Sequence, residues 1–137
     1  MNWSSIKTIA IVGLSNTPER DSYKVANYFL EKGYKIIPIN PNFEEILGFK
    51  CYASLEVIPI HVMNEIDMVD IFRKSEFVLP LIESIVKNKN KLKKLKVIWM
   101  QEGVSDLKAF DLASQNGYEV IMNSCAKKEH FKLEFKL

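Results

Sequence analysis

The chain has 137 residues, of which 47% are hydrophobic and 26% charged, with a formal net charge of +2. That is the length of one ordinary domain, long enough to bury a core and too apolar to stay disordered. The near balance of charge argues against specific nucleic-acid binding, no apolar run approaches the roughly 20 residues that span a bilayer, and Met1 to Ser5 lacks the basic start and apolar stretch of a signal peptide, so a soluble, cytoplasmic protein is expected.

Thr8-Ile9-Ala10-Ile11-Val12 is a continuous apolar run closed by Gly13, the pattern of a central parallel strand buried on both faces. After a polar stretch from Leu14 to Asp21, the helical spacing of Tyr23, Val25, Ala26, Phe29 and Leu30 predicts a helix that stops at Gly33. Tyr34 to Ile39 reads as a second strand, with Pro38 near its end because proline has no N–H to donate. Glu44 to Gly48 fits one helical turn, and Cys51-Tyr52-Ala53 a short extended piece. Ile66 to Phe72 is a third strand, Phe77 to Val86 a helix, and Lys96 to Met100 a fourth strand. Ser105 is the expected N-cap of a helix running to Asn116, with Leu107, Phe110 and Ala113 on its apolar face and Gly117 at its end. Glu119 to Met122 is a fifth strand, and Ala126 to Leu137 a short helix with a frayed end. Strands alternating with helices mean parallel strands joined by crossovers. The expected fold is therefore α/β, a doubly wound, mainly parallel five-stranded sheet in a single domain over 1–137.

In such sheets ligands bind outside the carboxyl ends of the strands. Those ends are Gly13 to Ser22, Asn40-Pro41-Asn42, Phe72-Arg73, Gln101-Glu102-Gly103 and Asn123-Ser124-Cys125, which should converge on one cleft. The first is a phosphate candidate. A helix N-terminus offers unpaired N–H groups, Gly13 permits a tight turn, Ser15 and Ser22 add hydroxyls, and Arg20 adds a fork for phosphate oxygens. The alternative is that Gly13 only closes a strand and Ser22 only caps a helix. The loop is neither G-x-G-x-x-G nor a Walker loop. An NAD fold also needs an acid at the end of the second strand for the ribose hydroxyls, where this chain has Ile39-Asn40-Pro41, so a different nucleotide is indicated.

Gly13-Leu14-Ser15 with Pro18, Arg20, Ser22 and Tyr23 resembles the start of the small stand-alone CoA-binding domain proteins. The resemblance continues in order through Pro38-Ile39-Asn40-Pro41, Leu47-Gly48, Tyr52-Ala53-Ser54-Leu55, Asp70-Ile71-Phe72-Arg73, Trp99-Met100-Gln101 with Gly103, Cys125 and Glu129-His130. It implies a Rossmann-like fold related to the N-terminal domain of the succinyl-CoA synthetase alpha subunit, with CoA or an acyl-CoA as ligand. It also implies that Gly13, Ser15, Arg20 and Ser22 face phosphates, with Tyr23 beside them. Asn40 and Pro41 would border the nucleotide, Phe72 and Arg73 flank the ligand, and Gln101, Glu102 and Gly103 lie near the pantetheine end. The chain departs from the family at Asp21, usually proline, at Glu102, often apolar, and at Asn123-Ser124, where Asp-Arg is common.

Other residues have two readings each. Cys125 is a thiol near the CoA thiol or a small packed residue, and the latter is preferred. His130 beside Glu129 is a general base or a packing residue, again with packing preferred. His61 has no visible partners. Asp67 and Asp70 point to opposite faces of their strand, so they form no acid/base dyad, though one could cap a neighbouring element. The lysine run from Lys87 to Lys96 is a solvated helix end, with RNA or anionic membrane contact as the alternative. The leading expectation is CoA binding without catalysis. The alternatives are an enzyme acting on an acyl-CoA with Glu102 or His130 as base, and a nucleotide-free interaction domain. No metal site is expected.

Overall fold

In the computed structural model, which describes residues 1–135, the first apolar run forms β1 (Thr8–Val12), buried throughout. It leads into α1 (Asp21–Glu31) and β2 (Lys35–Ile39). A small hairpin of β3 (Glu45–Ile46) and β4 (Phe49–Lys50) and a short helix α2 (Ile60–Met63) precede β5 (Met68–Ile71). Then follow α3 (Val78–Lys87), β6 (Val97–Met100), α4 (Leu107–Gln115), β7 (Glu119–Ile121) and α5 (Ala126–Glu134). Residues 136 and 137, part of the expected frayed end, lie outside the described residues.

The main sheet has five strands, all parallel, in the order β2-β1-β5-β6-β7. Helices cover both faces. Trp3, Val25, Phe29 and Ala126 pack with Ile9, Ile11, Met68 and Trp99 on the α1 and α5 side. Val78, Ile82, Ala109 and Ala113 pack with Val12, Val69, Ile71 and Ile98 on the α3 and α4 side. Burying each large side chain stabilises the domain by about 1.5–3 kcal/mol. The chain leaves β1 toward β2 and returns past it to β5, so the switch point lies between β1 and β5.

The extended piece around Tyr52 is present as a single parallel bridge to Ile39. Tyr52 N donates to Pro38 O at 3.0 Å, and Asn40 N donates to Tyr52 O at 2.9 Å. Pro38 therefore turns its missing N–H toward this sparsely paired edge and away from β1. Counted with Tyr52, the order becomes that of the dinucleotide-binding folds, 3-2-1-4-5-6, with the third strand reduced to one bridge.

Two expectations are corrected. Glu44 to Gly48 is a hairpin and not a helical turn, because Leu47 (φ 56°) and Gly48 (φ 82°) both take the left-handed conformation that a two-residue hairpin turn requires. The N-cap of α4 is Asp106, whose side chain accepts from Ala109 N at 2.8 Å, and not Ser105. The helix starts later than expected, and Leu107, expected on its apolar face, is 74% exposed, while Ala109 and Ala113 are its buried residues.

Candidate functional site

Gly13 ends β1 with its N–H donating to Ile39 O at 2.8 Å. The loop that follows is braced internally. Ser15 N donates to Ser22 Oγ at 2.9 Å, and Thr17 N donates to Ser15 Oγ at 3.0 Å. Asn40 Nδ2 donates to Leu14 O at 3.0 Å while Asn40 Oδ1 accepts from Asn42 N at 2.9 Å. Ser22 and Asn40 thus use their polar atoms to shape the loop. Ser22 lies inside α1 and does not cap it; the cap position is Arg20, and no side chain caps this helix. The first-turn amides, those of Asp21, Ser22 and Tyr23, follow the Arg20 cap position and receive no side-chain cap. Arg20 is exposed and joins no ion pair among the described residues. The result is a concentration of donors and partial positive charge, opposed by the Asp21 carboxylate.

The loops after β5, β6 and β7 are tied together as well. Gln101 is buried, and its Oε1 accepts from Ala126 N at 3.0 Å, capping α5. Gly103 N donates to Asn123 Oδ1 at 2.7 Å, and Ser105 N donates to Ser75 Oγ at 3.0 Å. Glu102 is exposed and paired with Lys128 at 2.9 Å.

Three cavities lie at this end of the sheet. One of about 500 Å³ is lined by Gly13, Ser15, Arg20, Asp21, Ser22 and Phe72, among others. It shares Asp21 and Phe72 with a second, of about 410 Å³, whose wall includes Lys24, Val25, Gln101, Glu102 and Cys125. A third, of about 270 Å³, lies on the α3 side, with Val12, Pro41, Ser54, Arg73 and Phe77 in its wall. The expected residues are therefore spread over three cavities and not one cleft, and Tyr23, Asn40 and Gly103 line none of these three. Lys24, Lys127 and Lys128 line the second cavity and were not anticipated. Lys24 lies in α1 soon after the phosphate-type loop, and the two α5 lysines directly follow the last strand end, which was the available signal. Both cysteines are free, and burial pushes the Cys51 thiol up.

His130 lies away from these cavities, in an aromatic cluster with Trp3, Tyr28, Phe29 and Tyr34. Its Nδ1 is 2.6 Å from Tyr28 Oη and its Nε2 is 3.2 Å from Tyr34 Oη. Burial lowers its pKa from the ordinary 6.5, and Lys32 acts in the same direction against an opposing Glu134. A base whose folded pKa is depressed gives stability that is present above the unfolded value and lost as pH falls below it. Stability is thus expected to decline below about pH 6.5, and a His130→Gln variant to lose that part of the decline, as read by urea midpoints between pH 7 and 5.

A family model described as "CoA binding domain" matches residues 7–131. The uncharacterized protein YneT of Bacillus subtilis is 36% identical over 124 residues, which span 90% of this chain and 85% of that one. A solved structure of a hypothetical protein from Pyrococcus horikoshii superposes with a TM-score of 0.83 at 37% identity, covering 96% of this chain and 86% of that one. An ADP-forming acetate–CoA ligase of Methanocaldococcus jannaschii is 37% identical over 62 residues, which are 45% of this chain and 8% of that protein.

Proposed function

Because the chain belongs to the CoA-binding domain family, we propose that it binds coenzyme A, or an acyl-CoA, across the carboxyl ends of its strands without catalysing a reaction of its own. The observation that carries the site assignment is the uncapped N-terminus of α1 beside Arg20, which joins no ion pair among the described residues. The diphosphate lies over those amides, where the helix end and the guanidinium both favour an anion. The pantetheine arm then runs into the 410 Å³ cavity past Phe72, Val104 and Cys125, which give it apolar contact. The end of β2 presents Asn40 and Pro41 with no carboxylate, which supports CoA over NAD. Of the two candidate bases, Glu102 is paired with Lys128, and His130 is held by two tyrosines away from the cavities, which supports binding without catalysis.

The test is thermal unfolding of ligand-free protein with equal concentrations of CoA, NAD or ATP. Ligand at about a hundred times its Kd adds roughly 2.7 kcal/mol to the native state, so CoA is expected to raise the midpoint by several degrees and NAD to do far less. No shift with any ligand would overturn the reading in favour of an interaction domain.

A further inference from the structure

We propose that Arg73 reads the phosphate monoester on the ribose of CoA, and so sets the preference of this protein for CoA over dephospho-CoA. The inference rests on the CoA reading above and concerns a part of the ligand that the α1 amides do not reach.

Arg73 follows β5, directly across the switch point from β1. Its stem packs against the turn at Gly13, where a Cβ would stand 3.4 Å from Arg73 Cδ. Its guanidinium lies over the Phe77 ring, 5.2 Å from the centroid. A planar cation stacked on an aromatic face keeps its edge N–H groups free, and that edge is the fork that fits a phosphate. No carboxylate pairs with Arg73 among the described residues. The one acid in the wall of the same cavity, Glu56, accepts from Ser84 Oγ.

Position decides what the fork meets. The 270 Å³ cavity joins Arg73 to Pro41 after β2 and to Ser54 after the Tyr52 bridge. In a sheet of this order, the end of the second strand is where the ribose of a nucleotide lies. Free ribose hydroxyls are held there by an acid, whereas a phosphorylated ribose needs a cation. This chain has Asn40-Pro41-Asn42 in place of the acid, and an unpaired arginine in the adjoining wall. Arg20 is the separate case: it lines the cavity at the α1 N-terminus, where the diphosphate is placed.

The experiment is calorimetric titration of CoA and dephospho-CoA into the wild-type protein and into Arg73→Met and Arg20→Met. Methionine keeps an apolar stem beside Gly13 and Phe77, and a melting curve of each variant checks the fold. Wild type is expected to bind CoA roughly ten- to a hundredfold more tightly than dephospho-CoA, the effect of losing hydrogen bonds to a charged group. Arg73→Met should erase that preference by weakening CoA alone, while Arg20→Met should weaken both ligands by a similar factor. Equal binding of the two ligands by wild type would overturn the assignment and leave the CoA reading standing. So would an Arg73→Met variant that still prefers CoA. Failure of folded, ligand-free wild type to bind either ligand would overturn both.

Discussion

Gly13→Ala is expected to lower the melting temperature of the ligand-free protein by roughly 10–20 °C, the equivalent of about 3–5 kcal/mol in a domain of this size. Two costs add. Gly13 sits at φ 83°, a conformation that L side chains rarely adopt. A Cβ placed there would also stand 2.2 Å from Phe72 O and 3.0 Å from Phe72 C. Those are backbone atoms in the chain leaving β5, and Phe72 N donates to Val12 O at 2.8 Å, so they cannot turn aside as a side chain could. The two central strands must part at their carboxyl ends. Gly117→Ala is the control, because Gly117 has φ 89° but nothing within 4 Å of an added Cβ. It should lose only the backbone contribution, about 1–2 kcal/mol. Urea unfolding of both variants decides the matter: equal losses would mean that the close approach to Phe72 carries no energy. A difference of that kind would mean that Gly13 serves the packing of β1 against β5 before any ligand arrives.

The main sheet was legible because strands buried on both faces announce themselves as continuous apolar runs, and β1, β5 and β6 are buried throughout. The β3–β4 hairpin was not, because Leu47 is a poor candidate for a left-handed turn and only its setting between Ile46 and Gly48 places it there. Ser105 and Asp106 are both good caps, so residue type does not choose between them; in the fold Asp106 accepts from Ala109 N, while the Ser105 amide donates to Ser75 Oγ. At the site, topology placed the loops at one end of the sheet, but residue type could not separate a ligand contact from a brace. Ser22, Asn40 and Gln101 have the donors and acceptors of binding residues, and each is engaged by a neighbouring backbone group. Arg20 and Arg73 are distinguished from them by having no ion-pair partner among the described residues.

Asp70→Asn is expected to be more stable than the wild type at pH 7 and to lose that advantage as the pH falls toward 4. Asp70 lies in β5 between Ile11 and Trp99, fully buried, with neither carboxylate oxygen hydrogen-bonded. Burial pushes its pKa well above the ordinary 3.8; the Ile71 N–H pulls the other way but falls short of hydrogen-bond geometry. Asp67, three residues earlier, makes the contrast. It is also buried, yet it accepts from Lys96 Nζ at 2.9 Å, Lys7 N at 2.9 Å and Thr8 N at 3.0 Å, and these bonds outweigh burial and hold its carboxyl below the usual range. For Asp70 the sign is the opposite of the salt-bridged case. The folded chain keeps a proton that the unfolded chain gives up above about pH 3.8, so stability is complete below that value and falls as pH rises toward the folded pKa. Each pH unit in that window costs about 1.4 kcal/mol. The amide keeps the shape of the carboxylic acid and does not titrate, so Asp70→Asn removes the slope while leaving the packing between Ile11 and Trp99 in place. Urea midpoints for both proteins between pH 4 and 8 measure it directly. Parallel curves over that range would show that Asp70 ionises freely in the folded state, which its burial beneath α1 and α5 forbids.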